Sequence, residues 1–167
     1  GEGVNVEYEA YRVDSDGDGL SDKWETLNGR DPLDGRLYFA FDCGAWQTEG
    51  WFSEDISSNL AGSLGTLDFE LDGVSGSIRR EGLNALVSEA DKELSLDIRS
   101  SGDLKCITSL NGQTIGDVCV EASHTFQTTS INLNSSQLVS DSIQSLEFTF
   151  TGDAGTVVEI DAIQIQR

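Results

Sequence analysis

The sequence is short of positive charge. It contains 10 Lys and Arg residues against 30 Asp and Glu residues, so its formal net charge is -20 over 167 residues. Proteins that bind nucleic acids or anionic membrane surfaces depend on cationic side chains to neutralise phosphate groups. The composition therefore argues against a nucleic acid or an anionic membrane as the partner.

The sequence also lacks long apolar runs. No segment approaches the ~20 apolar residues that a membrane-spanning helix needs, and the N-terminus carries no export signal. The composition fits a turn-rich extracellular protein, because it includes 18 Gly residues, one Pro and no Met. An acidic surface also favours hydration and solubility in salty water. We therefore expect a secreted or cell-surface protein, of marine origin for example, with no membrane span.

Cysteine is scarce, with three residues at Cys43, Cys106 and Cys119. In "CITSLNGQTIGDVC", a four-residue loop "NGQT" would place Leu110 opposite Ile115 and Cys106 opposite Cys119. That register predicts a cross-strand disulfide, worth roughly 3 kcal/mol by the chain-entropy estimate, in an oxidising compartment. The alternative is two reduced cysteines that fill apolar space. Cys43 is then expected to be a buried free thiol.

From residue 37 onward the sequence alternates apolar and polar residues in short runs. In "ELSLDIRS", for example, Leu94, Leu96 and Ile98 alternate with polar residues. About ten such runs, separated by Gly, Asn, Asp and Ser, are typical of an antiparallel sandwich or barrel. We therefore predict an all-β fold, an antiparallel β-sandwich over residues 37–167, preceded by a linker-like module over residues 1–36.

No catalytic motif is present in this predicted sandwich. The single histidine, His124, has no recognisable catalytic partner. Carboxylates are abundant, so composition alone is compatible with the pair of acidic residues that a glycosidase uses. A small sandwich leaves little room for an enclosed active site. We therefore predict that the chain is not an enzyme.

The segment "DSDGDGLSDKWE", residues 14–25, has the spacing of a calcium-binding loop. Such a loop offers oxygen ligands at positions 1, 3, 5, 7, 9 and 12, with Gly at position 6, where Gly19 stands. The predicted ligands are Asp14, Asp16, Asp18, Leu20 through its carbonyl, Asp22 and Glu25. Without a cation these carboxylates would repel one another, so Ca2+ is the predicted cofactor; the alternative is an acidic surface turn without metal.

This loop and its continuation, "DSDGDGLSDKWETLNGRDPLD", resemble a bacterial thrombospondin type 3 repeat over residues 14–34. The resemblance implies an EF-hand-like calcium loop followed by a short helix, on which Trp24 would pack. Such repeats are commonly calcium-rigidified spacers between modules of large secreted proteins. We therefore expect residues 1–36 to be a stiffened linker.

Residues 37–167 resemble the galactose-binding-like jelly-roll carbohydrate-binding modules of secreted bacterial polysaccharidases. The resemblance rests on "FDCGAWQTEGW", "SGSIRREGLNALVSEADKELSLDIRSS" and "GDAGTVVEIDAIQIQ", in this order. It implies a jelly roll that binds a polysaccharide and targets a covalently attached enzyme to it. It also implies a second, structural calcium held by Asp42 and Asp161, with Glu159 nearby; the alternative is that Asp161 is an outward-facing strand residue.

Sugar recognition requires an aromatic plane beside a few polar groups. Trp46, in the turn "CGAWQT", is the preferred platform, although it could equally cover an edge of the sandwich. Trp51 matches the core tryptophan of the resembled modules, and Tyr38 and Phe52 are weaker platform candidates.

The few basic residues of the sandwich are the other candidates for glycan contacts. Arg99 and Lys105 flank the turn "SSGD", and Arg79 and Arg80 precede them, so the four could form one cationic spot suited to a sulfate or carboxylate. The alternative is pairing with acidic residues of neighbouring strands. The predicted contacts, with hydrogen-bonding partners included, are Trp46, Arg79, Arg80, Asn84, Arg99, Lys105 and His124.

Two functions from different classes fit these patterns. One is a non-catalytic carbohydrate-binding module with a calcium-rigidified linker, and the other is a structural or adhesive sandwich of a large calcium-binding surface protein. A solvent-exposed aromatic ring beside convergent polar groups would favour the first, because the second requires neither.

Overall fold

The computed structural model confirms an all-β, antiparallel sandwich. It describes residues 37–41, 48–55, 60–63, 65–83, 85–86, 93–133 and 142–166. The predicted linker over residues 1–36, with its calcium loop and short helix, lies outside these ranges. The described ranges contain no helix that is long and apolar enough to cross a membrane.

The described ranges contain twelve strands, ten of which form the two sheets of the sandwich. Their bounds are β1 Tyr38–Phe39, β2 Ala61–Ser63, β3 Thr66–Glu70, β4 Ser75–Arg80, β5 Ala85–Leu86, β6 Glu93–Ser100, β7 Leu104–Leu110, β8 Gln113–Val120, β9 Gln127–Asn132, β10 Ser142–Ile143, β11 Leu146–Thr151 and β12 Val157–Gln166. One sheet has six strands in the order β2-β3-β12-β6-β9, with β1 also paired to β12; the other has four in the order β4-β11-β7-β8. The short strands β5 and β10 pair with each other.

The core lies between the two sheets. The alternation that predicted β6 places Leu94, Leu96 and Ile98 on its inner face with no solvent exposure. From the opposite sheet, Phe148 stacks on Trp51 with ring centroids 5.6 Å apart. Trp51 is only 2% exposed, so the prediction that it is the core tryptophan is confirmed.

The last strand, β12, connects most of the six-stranded sheet. It pairs with β6 along one edge, and with β3 and then β1 along the other. The main-chain N–H of Ile165 donates to the carbonyl of Leu37 at 3.0 Å, so the start of β1 lies beside the end of β12. The chain therefore enters and leaves the sandwich at the same end.

The β12 strand contains a bulge at Asp161. Ile160 pairs with Ile98 and Ala162 with Asp97, so Asp161 is the extra residue between them. A bulge of this kind leaves its extra residue unpaired, and Asp161 is exposed. Asp161 therefore has the outward-facing position that the alternative interpretation gave it, and the bulge explains why a polar residue interrupts this apolar strand.

The predicted disulfide between Cys106 and Cys119 is also wrong. The β7–β8 hairpin turns at two residues, so Leu110 faces Gln113, and a register shift follows between Thr108 and Ser109. Cys106 consequently pairs with Val118 and is buried, whereas Cys119 is exposed; both are free thiols. A shift of one residue moves a side chain to the other face of a sheet, which places the two sulfur atoms on opposite faces.

We expect a maleimide reagent to modify Cys119 in the folded protein and Cys106 only after unfolding. Thiolates are the reactive species, and burial raises the pKa of the Cys106 thiol to about 12, although the interaction with Thr108 acts in the opposite direction. Peptide mapping after a short labelling pulse distinguishes the two sites. A peptide linked through Cys106 and Cys119 in an unreduced digest would contradict this structure.

Candidate functional site

The four predicted cationic contacts do not converge. Arg99 lies on β6 in the six-stranded sheet, whereas Lys105 lies on β7 in the four-stranded sheet. The turn between them carries the chain from one sheet to the other, so the two strands are not neighbours. The four residues therefore do not form one cationic spot, and the alternative, pairing with acidic residues of neighbouring strands, describes Arg79, Arg99 and Lys105.

Arg79 and Arg80 project from opposite faces of β4. Arg79 is on the outer face, where its Nε lies 3.1 Å from Glu147 Oε2 on β11 and 3.7 Å from Glu81 Oε1, and its Nη1 lies 3.8 Å from Glu54 Oε1. The outer-face cation is thus surrounded by carboxylates, and Arg80 points inward. The two residues cannot bind one ligand together.

Arg80 is a buried structural residue, which corrects its prediction as a glycan contact. Its Nε donates to the main-chain oxygen of Glu49 at 2.9 Å, Nη1 donates to the oxygen of Glu81, and the guanidinium lies 5.9 Å from the centroid of Phe39. A Cβ atom at Gly50 would lie 2.7 Å from Arg80 Nε. The guanidinium is therefore packed into the structure, with 8% of the residue exposed.

Lys105 is on the outer face of the four-stranded sheet, where its Nζ lies 3.3 Å from Asp117 Oδ2. Both side chains are more than half exposed, so this pair contributes little to stability. Nothing in the described ranges brings Lys105 to the other predicted contacts.

Arg99 is held in a defined orientation on the outer face of the six-stranded sheet. Its Nε and Nη2 both donate to Glu159 Oε2 on β12, and Nη1 donates to the main-chain oxygen of His124 at 3.1 Å. The guanidinium carbon lies 4.4 Å from the centroid of the Phe126 ring. Arg99 and His124 are thus the two predicted contacts that the structure brings together.

These residues border a cleft of about 450 Å³ at one end of the sandwich. It is lined by Arg99, Ser100, Ser101, Ala122, Ser123, His124, Val157 and Glu159. Val157 is 42% exposed, and Phe126, which supports the guanidinium, is 36% exposed. The lining of the cleft therefore combines an apolar patch with convergent polar groups, and the partly exposed ring of Phe126 supports Arg99 from outside that lining.

Hydrogen bonds from main-chain N–H groups to side-chain oxygens shape the rim of the cleft. Ser101 Oγ accepts the N–H of Val157 at 2.9 Å, and Ser123 Oγ accepts the N–H of Thr125 at 3.1 Å. Asp103 Oδ1 accepts the N–H of Ala122 at 2.9 Å. The bond to Asp103 joins the loop between β8 and β9 to the turn after β6, and the N–H of Ser123 joins the same loop to the end of β6 by donating to the Ser100 carbonyl at 3.0 Å. Both bonds hold the loop that carries His124.

Sequence reasoning missed Phe126, Val157 and the role of Glu159. The motif "HTF" places Phe126 two residues after a predicted contact, which was the available signal. Glu159 was expected near a calcium, but it pairs with Arg99, because residues 99 and 159 face each other in the register of β6 and β12. The two weaker platform candidates do not line this cleft. Tyr38 is half-buried, and Phe52 is exposed but forms a main-chain β-bridge with Arg79 on the other sheet.

Acidic side chains surround Arg99 on this face. Although Asp161 is largely exposed, partial loss of solvation raises the pKa of its carboxyl, the charge of Asp97 raises it further, and Arg99 lowers it. The described residues include no cluster of three or more His, Cys, Asp or Glu side chains that could hold a metal. The second calcium site stays a prediction, because Asp42 is not among those residues.

Several predicted site residues lie outside the described ranges. They are the calcium ligands Asp14, Asp16, Asp18, Leu20, Asp22 and Glu25, and the glycan contacts Trp46 and Asn84.

No protein-family model and no curated protein sequence matches the chain. Several solved structures of family 29 carbohydrate-binding modules do match it. A point variant of the module CBM29-2 aligns with a TM-score of 0.54 at 12% identity, over 78% of this chain and 91% of that one. A second family 29 variant gives 0.53 at 13% identity, over 78% and 92%.

A further CBM29-2 variant, solved in complex with cellulohexaose, gives a TM-score of 0.52 at 10% identity, over 78% of this chain and 91% of that one. At such low identity the likeness concerns the fold. It bears out the predicted resemblance to jelly-roll carbohydrate-binding modules. The chain therefore has the β-sandwich fold of the family 29 carbohydrate-binding modules.

Proposed function

We propose that the chain is a non-catalytic module that binds a polysaccharide. The observation that carries this proposal is the cleft, where Arg99, Glu159 and His124 converge beside the exposed Val157 and the Phe126 ring supports Arg99, on the fold of carbohydrate-binding modules. An aromatic or apolar surface beside a few fixed polar groups is the arrangement that sugar recognition requires. A purely structural or adhesive sandwich has no need of it.

Affinity electrophoresis against neutral and sulfated plant and algal polysaccharides tests this proposal. Retardation by at least one polymer is expected, and that polymer would identify the substrate of any enzyme to which the module is attached. If no polymer in the panel changes the mobility, the proposed function is wrong and the structural or adhesive alternative is favoured.

The proposal includes a calcium-rigidified linker in a secreted protein with further covalently attached domains. Its support is the calcium-ligand spacing of residues 14–25 and the resemblance of residues 14–34 to a thrombospondin type 3 repeat. Carboxylates at this spacing repel one another unless a cation neutralises them. In the proposed role, calcium holds the linker in one conformation.

Chelation with EDTA should therefore accelerate proteolysis within residues 1–36. The double variant Asp14→Asn/Glu25→Gln is the matched control, because it removes the first and last ligands and should be cleaved at the same rate with and without calcium. Limited proteolysis followed by mass spectrometry locates the cuts. Equal cleavage of the unmodified chain in calcium and in EDTA would contradict the linker proposal.

A further inference from the structure

The cleft has the size of a site for a chain end or a branch. Its volume of about 450 Å³ is near the lower end of the range for small-molecule sites, and it accommodates about one or two sugar rings. It is closed on one side by the loop between β8 and β9, which contributes Ala122, Ser123 and His124. A long polysaccharide lying flat would need an open groove across a sheet.

Arg99 and Glu159 give the cleft one hydrogen-bond donor group next to one acceptor group. A guanidinium has five N–H donors, and three of those on Arg99 are engaged by Glu159 and His124, which leaves one N–H on each terminal nitrogen. Glu159 uses only Oε2 for Arg99, so Oε1 can still accept. Two neighbouring hydroxyl groups of a sugar match such a pair, because each hydroxyl both donates and accepts.

The charge around Arg99 disfavours an anionic ligand. Glu159 already offsets the guanidinium, and Asp97, two residues earlier on β6, shares its outer face. Each of the other described Arg and Lys side chains is likewise engaged, by carboxylates at Arg79 and Lys105 and by main-chain oxygens at Arg80. A sulfate or carboxylate would therefore meet a guanidinium whose charge is already offset and whose face carries further carboxylates, whereas a neutral hydroxyl group can use the remaining N–H donors without this repulsion.

We propose that this cleft binds the terminal or branch residue of an uncharged polysaccharide through a vicinal pair of hydroxyl groups, with Arg99 donating and Glu159 accepting. The C–H groups of the sugar contact Val157 and the platform of Arg99 on Phe126. This inference rests on the proposed function, because it assigns the site and ligand class of the same binding activity.

The first test compares four single variants by affinity electrophoresis in gels that contain glucomannan, xylan, β-1,3-glucan or agarose as neutral polymers and alginate or carrageenan as anionic ones. Arg99→Lys keeps the positive charge but loses the planar guanidinium with its paired N–H donors, and Glu159→Gln removes the negative charge. Arg79→Lys and Glu147→Gln are the matched controls, because they alter a similar pair on the other sheet. Circular dichroism verifies that all four variants are folded.

The unmodified chain should be retarded by a neutral polymer. Arg99→Lys and Glu159→Gln should each weaken that binding at least about tenfold, and the two controls should bind as the unmodified chain does. Glu159→Gln should in addition bind an anionic polymer better than the unmodified chain, because the guanidinium has lost its counter-charge.

Three outcomes would overturn the inference. Binding of a neutral polymer that neither Arg99→Lys nor Glu159→Gln weakens would move the site elsewhere, and binding of anionic polymers only would refute the ligand class; both leave the proposed function intact. If the unmodified chain binds no polymer, the proposed function fails and the inference fails with it.

Isothermal titration with oligosaccharides of the retarding polymer tests the chain-end geometry. The Kd should change less than about threefold between the trisaccharide and the hexasaccharide, because rings beyond the cleft make no contact. A Kd that falls tenfold or more over that series would show binding along the chain and would refute the chain-end assignment.

Discussion

Replacement of Phe148 by alanine is expected to reduce the free energy of unfolding by about 3–5 kcal/mol. The Phe148 ring is fully buried, stacks on Trp51 and lies with its centroid 6.5 Å from that of Phe150. Its removal leaves a cavity that the paired strands of the four-stranded sheet cannot close, because β11 is held between β4 and β7. Equilibrium urea denaturation measures the loss.

Phe126→Ala is the matched control for this measurement. The Phe126 ring is 36% exposed and covers one face of Arg99 outside the core, so its loss should cost much less than that of Phe148. Equal losses for the two variants would show that the aromatic cluster around Trp51 is not the main hydrophobic core.

Arg80→Met should also be strongly destabilising, by about 3 kcal/mol or more. Arg80 and Glu49 are the buried charged residues among those that the structure describes, and they are in direct contact through Arg80 Nε and the Glu49 main-chain oxygen. Methionine preserves most of the side-chain length, but it donates no hydrogen bond to that oxygen or to the one of Glu81, so two charge-assisted hydrogen bonds of a buried group are lost.

The adjacent residue supplies the control. Arg79→Met removes a cation that is 40% exposed and paired on the surface, so the expected loss is at most about 1 kcal/mol. Chemical denaturation of both variants under identical conditions gives the comparison. Similar losses at the two positions would contradict the opposite orientations of these side chains.

The strands could be predicted because their signal is local. In β6 the alternation of Leu94, Leu96 and Ile98 with polar residues depends on the pleat of a single strand, and the structure follows it. Trp51 was placed in the core through a resemblance of sequence pattern, and its packing against Phe148 and Phe39 agrees with that.

The errors concern pairing between strands. The Cys106–Cys119 bridge failed because a two-residue turn and one bulge set the register of the hairpin. The turn has its signature in Asn111-Gly112, both with positive φ, which the assumed four-residue loop did not use, whereas the bulge has no clear signature in the sequence. A single cationic spot could not be excluded from the sequence, because the sheet that a strand joins depends on residues far away in the chain. Arg99, for example, pairs with Glu159, which lies 60 residues further along. The cleft combines three separated segments for the same reason, so only His124 and Arg99 were identified in advance.

The course of β12 sets the distance between the cleft and the start of β1, which matters for how other domains could be joined to the sandwich under the proposed function. At its first residues, Val157 and Glu159, the strand lines the cleft, and at its last residues it lies beside the start of β1. Ten residues of strand span about 30 Å, so the cleft and the start of β1 lie at opposite ends of the six-stranded sheet. If the proposed function holds, a domain joined to the sandwich beside the start of β1 would leave the cleft unobstructed, because about 30 Å of sheet would separate that domain from the proposed ligand.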